Sequence, residues 1–160
     1  MLSSKLIVSS MNGPDGTTSG SFFKTSDIGR VFTWDEVSEV HRGQNGIYQS
    51  RGRLVSLLTD FGKINPCYPD AHGKTKDTIN YTGSGRRGDQ KLDVRNRALI
   101  AAAETQTVVP LFNKRGVNRW QFLGFWTVSE PRYEFNEEQN RMLWKFTLTR
   151  RSMDAADSRC

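Results

Sequence analysis

Two segments near the C-terminal end of the chain alternate large apolar side chains with other residues, and this pattern is the strongest constraint on the fold. In WQFLGFWTV, residues 120–128, the alternate positions from Trp120 to Trp126 fall on one face. In MLWKFTLTR, residues 142–150, one side carries Trp144, Phe146 and Leu148 and the other carries Lys145, Thr147 and Thr149. Such alternation predicts β-strands with one buried face. With the strand TVVPLF and the turn NKRGVN, residues 107–118, the first segment predicts a hairpin.

The remaining elements are shorter and do not follow a regular strand–helix–strand order. RVFTW, residues 30–34, predicts a short strand, DEVSEV after it a turn of helix, and GRLVSLL, residues 52–58, another strand. Residues 60–80 hold two prolines and two glycines and predict a long loop. KLDVRNRALIAAAE, residues 91–104, predicts a helix capped by Asp89 or Asp93. We therefore expect an α+β fold that is mostly β: a curved antiparallel or mixed sheet, open or closed into a barrel, with one or two packed helices.

Length and composition predict one domain with two loose ends. Residues 1–27 are rich in Gly, Ser and Thr and predict a flexible arm, residues 28–151 the domain, and residues 152–160 a flexible tail. Apolar runs are too short for a membrane span, and the N-terminus is too polar for a secretory signal, so we expect an intracellular protein without a membrane partner. The separated cysteines, Cys67 and Cys160, predict free thiols. The histidines do not cluster with them, so no metal site is predicted.

The charge of the chain favours polyanionic partners. Lys and Arg number 23 against 17 Asp and Glu, a formal net charge of +6. Nucleic acid is the first candidate for such a partner. A cluster of bases within twelve residues predicts a phosphate-contacting surface; its members are Arg86, Arg87, Lys91, Arg95 and Arg97. The alternative is a solvated helix face in which Asp93 pairs with Arg97.

A literal G-x-G-x-x-G occurs at Gly83, Gly85 and Gly88, the spacing of a dinucleotide-binding turn. The preceding segment KTKDTINYT contains only Ile79 and Tyr81 as apolar residues, whereas that turn requires a buried strand before it. Asp89-Gln90 stands where an ATPase phosphate loop requires Lys-Ser/Thr. No cofactor is therefore predicted.

Two tyrosines and a carboxylate suggest another use for this region. Tyr68 and Asp70 lie in the long loop, and Tyr81 directly precedes the glycines. A nucleobase taken out of its stack is bound between aromatic rings while a polar group reads its pairing edge. The alternative is that the aromatics are core residues and that Asp70 forms a turn.

Several ordered motifs in the chain resemble the SRA (SET- and RING-associated, or YDG) domain. Tyr81-Thr-Gly-Ser-Gly, Asp89-Gln-Lys-Leu and Arg95-Asn-Arg-Ala-Leu occur in the family's order. Upstream, residues 40–47 look like its VHR…GI segment, and downstream WQFLGFWTV and WKFTLTRR look like its last strands. The resemblance covers residues 28–151. It implies a curved β-barrel of PUA-like type that binds DNA and flips 5-methylcytosine into a pocket.

The resemblance also assigns roles to single residues. Tyr81 would stack on the flipped base, and Asp70 would read it, with Tyr68 or, alternatively, Phe61 as the second aromatic. Thr82, Gly83, Ser84 and Gly85 would shape the pocket and contact the backbone. Gly46 would let its loop approach the flipped nucleotide, and Gln44 or Asn45 would fill the gap that the base leaves. The remaining DNA-contacting candidates are Arg42, Arg86, Arg87, Lys91 and Arg97.

Two departures from the family pattern bear on function. Only Arg86-Arg87-Gly88 remains of a longer insertion that probes the opposite strand in eukaryotic readers, and Phe122-Leu123-Gly124 replaces the Tyr-Asp-Gly signature. The compact form is similar to bacterial members, which implies a bacterial cytoplasmic protein. The chain is thus predicted to read modified cytosine in double-stranded DNA without catalytic residues of its own. Alternatives are the reader of a modification-dependent restriction endonuclease, whose nuclease lies outside this chain or in a partner subunit, and a PUA-like RNA-binding domain.

Overall fold

The structure is a computed structural model and describes residues 22–151. Its strands are β1 (Val31–Phe32), β2 (Ile47–Ser50), β3 (Arg53–Thr59), β4 (Ala71–His72), β5 (Thr78–Thr82), β6 (Val108–Gly116), β7 (Arg119–Asn136) and β8 (Arg141–Arg150). Its helices are a 3-10 turn (Thr25–Asp27), α1 (Trp34–Val37) and α2 (Val94–Thr105). No helix in this part of the chain is long and apolar enough to cross a membrane.

The strands form one mixed sheet in the order β2-β3-β6-β7-β8-β5-β4, and β1 pairs with the first residues of β7. Neighbouring strands are antiparallel except β3 and β6, which run parallel. Among the described strands, β2 and β4 are the two edges, so the sheet is curved but open. The prediction of a mostly β fold with a curved mixed sheet and one or two packed helices is confirmed.

The long C-terminal strands follow the alternation of the sequence, except that the side of β8 expected to be polar is also buried at Arg141, Leu143 and Lys145. Phe122, Trp126 and Val128 of β7 are buried, and β7 pairs with β6 in the predicted hairpin. Lys145 was expected beside Thr147 and Thr149 on the polar side of β8, but it is buried. The turn prediction for residues 113–118 was too long, because β6 continues through Gly116 and leaves a two-residue connection to β7.

Two apolar clusters form the core. The larger lies between α2 and the sheet and includes Leu99, Leu111 and Phe146. The smaller gathers Val37 and Phe112 around Phe23, which is 1% exposed. Phe23 belongs to the predicted arm, so the core includes a residue before the predicted boundary at residue 28. The rest of that arm, residues 1–21, and the predicted tail, residues 152–160, lie outside the described residues.

The region around the long loop is more ordered than its composition predicts. β5 begins at Thr78, where a loop was expected through residue 80, and Ile79 is buried opposite Leu148 of β8. The short β4 then pairs with β5. The helix prediction is confirmed, and its cap is Asp93, whose side chain accepts a hydrogen bond from the Asn96 amide at 2.8 Å. A carboxylate at this position satisfies an amide that the first helical turn leaves without a partner.

Candidate functional site

A cavity of about 590 Å³ opens where several elements meet. Its walls come from residues 44–47, the end of β3, the loop after β3, the end of β5 with the first glycines, the start of α2, and the tip of the β6–β7 hairpin. Ligand pockets commonly have volumes of about 300 to 1,000 Å³. The cavity is therefore large enough for a small planar group and the chain that carries it.

The structure brings most of the predicted pocket residues together on this cavity. Those that line it are Tyr68, Asp70, Tyr81, Thr82, Gly83 and Ser84. Phe61 does not line it: its ring stacks on His72 with the centroids 4.5 Å apart, and it packs against the larger core cluster. Of the two candidates for a second aromatic wall, Tyr68 is therefore the one placed at the cavity.

Asp70 is a buried carboxylate held on both oxygens. One oxygen accepts from the Thr59 hydroxyl at 2.7 Å and the other from the Thr82 amide at 2.7 Å. Burial raises the pKa of the Asp70 carboxyl to about 6, although these hydrogen bonds and the nearby Lys145 charge act to lower it. Each carboxylate oxygen has a second lone pair, so Asp70 can still accept from a donor in the cavity.

Lys145 lies behind Asp70 and was missed by sequence reasoning. Its Nζ donates to the Thr82 hydroxyl at 2.6 Å and to the Pro69 carbonyl at 3.0 Å. Burial lowers the pKa of Lys145, and the Asp70 charge opposes that shift. The sequence gives one sign that Lys145 supports the site: it is the one lysine among apolar and Thr residues in a strand whose alternation predicts one buried face.

Tyr81 is a wall residue whose hydroxyl group is already used. Its side chain is 2% exposed, and its hydroxyl lies 2.8 Å from the Leu58 carbonyl and 3.3 Å from that of Gly46. Burial raises the pKa of the phenol well above its usual value, so it remains a donor. Tyr68 is half-buried, and burial also raises the pKa of its phenol.

The glycine turn after Tyr81 is fixed by buried side chains. Asn96 accepts from the Ser84 amide at 2.7 Å and donates to the Ser84 carbonyl at 3.0 Å. Gln90 donates to the carbonyls of Gly83 and Gly85. Arg141 donates to the Gly85 carbonyl at 2.7 Å. The backbone that faces the cavity is therefore held in place before any ligand binds.

A second loop at the cavity, residues 44–46, is held by His41. The carbonyl of Asn45 can only accept, so the His41 Nε2 at 2.6 Å donates to it and Nδ1 accepts from the Ser56 hydroxyl at 2.7 Å. Burial lowers the pKa of His41 to about 4, which keeps the ring neutral. With its amide oxygen turned towards Arg95, Asn45 also accepts from that guanidinium at 2.6 Å.

The predicted DNA-contacting residues divide into two groups. Gln44, Asn45, Gly46 and Arg86 line the cavity, together with Arg95. The others do not line it; Gly85 is half-buried in the glycine turn, and the exposed ones are Arg42, Arg87, Lys91 and Arg97. The cavity thus has guanidinium groups beside an aromatic and acidic interior, which suits a negatively charged ligand that carries a planar ring.

The curved, mostly β fold and its cavity, lined by tyrosines, a buried carboxylate and arginines, define a β domain with a ligand-sized cavity. The chain belongs to the SRA domain family: the sequence model of the ScoMcrA-like SRA domain matches residues 29–153. Among curated proteins, no sequence matches the chain significantly.

Solved structures share this fold. The modification-dependent TagI restriction endonuclease is 18% identical, with a TM-score of 0.66 over 81% of this chain and 51% of TagI. The SRA domain of SUVH5 in complex with hemimethylated CG DNA is 24% identical, with a TM-score of 0.66 over 80% of this chain and 90% of that domain. KRYPTONITE in complex with mCHG DNA is 22% identical, with a TM-score of 0.63 over 79% of this chain and 32% of KRYPTONITE. The chain therefore spans about half the length of TagI.

Proposed function

We propose that this domain reads modified cytosine in double-stranded DNA by accepting the flipped base into the cavity. The observation that carries the proposal is the placement of Tyr68, Tyr81 and Asp70 on one cavity that Arg86 and Arg95 also line. SRA structures of this fold have been solved with hemimethylated and with fully hydroxymethylated CG DNA, which supports a duplex ligand that carries modified cytosine.

The chemistry of each group fits this ligand. The cytosine amino group is a donor, and a carboxylate such as Asp70 is its natural acceptor. Tyrosine rings supply stacking in place of the neighbouring bases, worth about 1 to 3 kcal/mol per base. Arg86 and the exposed bases beside it would bind phosphates, a sequence-independent contribution that offsets the unstacking cost of a few kcal/mol.

We further propose that the domain performs no chemistry itself and delivers a nuclease to modified DNA. The similarity to TagI, a modification-dependent restriction endonuclease, supports a nuclease domain outside this chain or in a partner subunit. This use places the protein in a bacterial cytoplasm, where a restriction system meets foreign DNA.

The test is binding to matched duplexes that carry cytosine, 5-methylcytosine or 5-hydroxymethylcytosine, followed by fluorescence anisotropy. We expect a preference of about tenfold or more for one modified duplex, the discrimination that one buried methyl-sized group supplies. Tyr68→Ala should remove most of that preference and keep basal binding, because phosphate contacts survive. Phe135→Ala, an exposed aromatic outside the cavity, is the matched control and should keep the wild-type preference.

Equal affinity of the wild-type protein for all three duplexes would contradict the reader function. A folded Tyr68→Ala protein with full preference would contradict the pocket assignment alone. Cleavage of modified DNA by this chain with Mg²⁺ or Mn²⁺ would contradict the statement that it performs no chemistry. Stronger binding to hairpin RNA than to any duplex would favour the RNA-binding alternative.

A further inference from the structure

The tip of the β6–β7 hairpin, residues 114–119, carries three bases and no acidic residue. Its bases are Lys114, Arg115 and Arg119, and the chain has no Asp or Glu between Glu104 and Glu130. The four ion pairs within residues 22–151 involve none of these three bases. Such a tip repels other cations and attracts a polyanion.

The hairpin tip is also part of the cavity wall. Lys114, Asn118 and Trp120 line the cavity, as do Arg86 of the glycine turn and Arg95 of α2. The Lys114 ammonium lies over the Trp120 ring, 5.5 Å from its centroid. The Asn118 side chain accepts from the Trp34 amide at 2.7 Å, which ties the tip to α1. The tip is thus held in a fixed position beside the cavity.

At the apex of the hairpin tip, the exposure of one apolar side chain is not explained by packing within the domain. Val117 is 90% exposed, and it occupies a two-residue connection where polar residues and glycine are usual. A β-branched apolar side chain gains nothing from exposure at that position. It would gain if it packed against the sugars or base edges of a bound duplex.

We propose that the hairpin tip is a second DNA-contacting element, in which Lys114, Arg115 and Arg119 bind backbone phosphates beside the flipped nucleotide and Val117 faces the groove. This rests on the proposed function, since it takes the cavity as the place of the flipped base. The DNA would then be held by two sets of bases from different elements, Arg86 and Arg95 in one and the bases of the hairpin tip in the other.

The test is the triple variant Lys114→Gln/Arg115→Gln/Arg119→Gln, measured on modified and unmodified duplexes between 50 and 200 mM salt. The charge-matched control is Arg53→Gln/Lys74→Gln/Lys76→Gln. These three bases are exposed and lie outside the cavity: Arg53 begins β3, whose other end lines the cavity, and Lys74 and Lys76 lie in the connection between β4 and β5. Thermal unfolding of both variants checks that they are folded.

We expect the hairpin variant to bind every duplex about tenfold or more weakly than the control variant. The negative slope of log K against log salt should decrease in magnitude by about 2 to 3, because each phosphate contact contributes about −0.9 to it. The preference for modified DNA should be unchanged, because phosphate contacts carry no base information. Affinity and salt slope equal to those of the control would overturn the hairpin proposal and leave the reader function intact. If the wild-type protein shows no preference, the reader function fails, and the same comparison still decides the role of the hairpin tip.

A single substitution at the apex tests the same element without removing any base. Val117→Asp places a negative charge where the phosphates should lie and should weaken binding of all duplexes by about fivefold or more. Ser50→Asp adds the same charge at the exposed far end of β2 and should bind as the wild-type protein does. Equal affinities of the two variants would overturn the proposal even if the triple variant failed to fold.

Discussion

At the scale of single residues, the cavity depends on a lysine that does not line it. Lys145 Nζ bonds the Thr82 hydroxyl and the Pro69 carbonyl. Thr82 in turn donates its amide to Asp70, and Pro69 precedes Asp70 in the chain. One ammonium group therefore holds both segments that position the Asp70 carboxylate. It also favours ionisation of that carboxylate against the effect of burial.

We predict that Lys145→Met raises the pKa of Asp70 above its value of about 6. The Lys145 ammonium is the one nearby charge that lowers this pKa, and a methionine side chain is neutral. The variant should also lose stability by about 1 to 3 kcal/mol, since Thr82 loses a buried partner. Carboxyl carbon chemical shifts followed by NMR across pH measure the first effect. The control is Lys74→Met, at an exposed lysine in the connection between β4 and β5; it should leave the Asp70 titration as it is in the wild type. An unchanged Asp70 titration in Lys145→Met would show that the lysine does not position the carboxylate.

Lys145 also shows what a local pattern cannot predict. The alternation of β8 assigns Lys145 correctly to the side that carries Thr147 and Thr149. It does not reveal that the loop ending at Asp70 covers Lys145, because the covering residues come from more than seventy positions earlier. The tyrosines and Asp70 were recognised because aromatic rings with a carboxylate suit an unstacked base and because a family resemblance assigned their roles; periodicity did not connect them.

At the scale of elements, the site is built at the junction between β5 and α2. The glycine turn leaves β5 at Gly83, and the first turn of α2 returns Asn96 to it. Asn96 is fully buried and bonds the Ser84 amide, the Ser84 carbonyl and the Lys91 carbonyl. The helix therefore fixes the cavity wall through one side chain rather than through apolar contact alone.

We predict that Gly83→Ala destabilises the domain by about 2 kcal/mol or more, because an added Cβ overlaps the Asn96 Oδ1 atom and lies 2.9 Å from the Trp144 Cβ. The comparison is Gly46→Ala, also at the cavity, where the nearest atoms to an added Cβ are at 3.5 and 3.7 Å. That variant should lose less than about 1 kcal/mol. Urea unfolding with equal m-values measures both. Equal losses in the two variants would mean that the glycine turn can yield and that Asn96 does not fix it.

The elements were predictable where local chemistry alone decides them. Asp93 caps α2 as its side chain suggests, and β7 and β8 follow from their alternation. β5 was missed at its start because KTKDTIN is polar, and only pairing with β8 makes Thr78 and Ile79 a strand. The extension of β6 to Gly116 was missed for a different reason: its last residues have a turn-like composition, although they pair with β7 only a few positions later. Only the error in β5 concerns a strand whose partner is distant in sequence.

At the scale of the whole molecule, two buried titratable groups change the free energy of unfolding with pH in opposite directions. The pKa of His41 falls to about 4 in the folded state, so below about 6.5 the unfolded chain binds the extra proton and acid destabilises the fold. The pKa of Asp70 rises to about 6, so between about 6 and 4 the folded chain binds the extra proton and acid stabilises it. Across this window the two contributions oppose each other.

We therefore predict that Asp70→Asn makes the domain more sensitive to acid, although it removes a buried charge. Without the proton uptake of Asp70, the free energy of unfolding should fall by up to about 1.4 kcal/mol per pH unit as pH drops from 6.5 towards 4, because His41 then acts unopposed. The wild-type protein should show a flatter profile over the same range. Urea unfolding at half-unit steps of pH measures both curves. Parallel curves would mean that Asp70 titrates no differently in the folded and unfolded chain, and the carboxylate would then be far more solvated than its contacts with Thr59 and Thr82 imply.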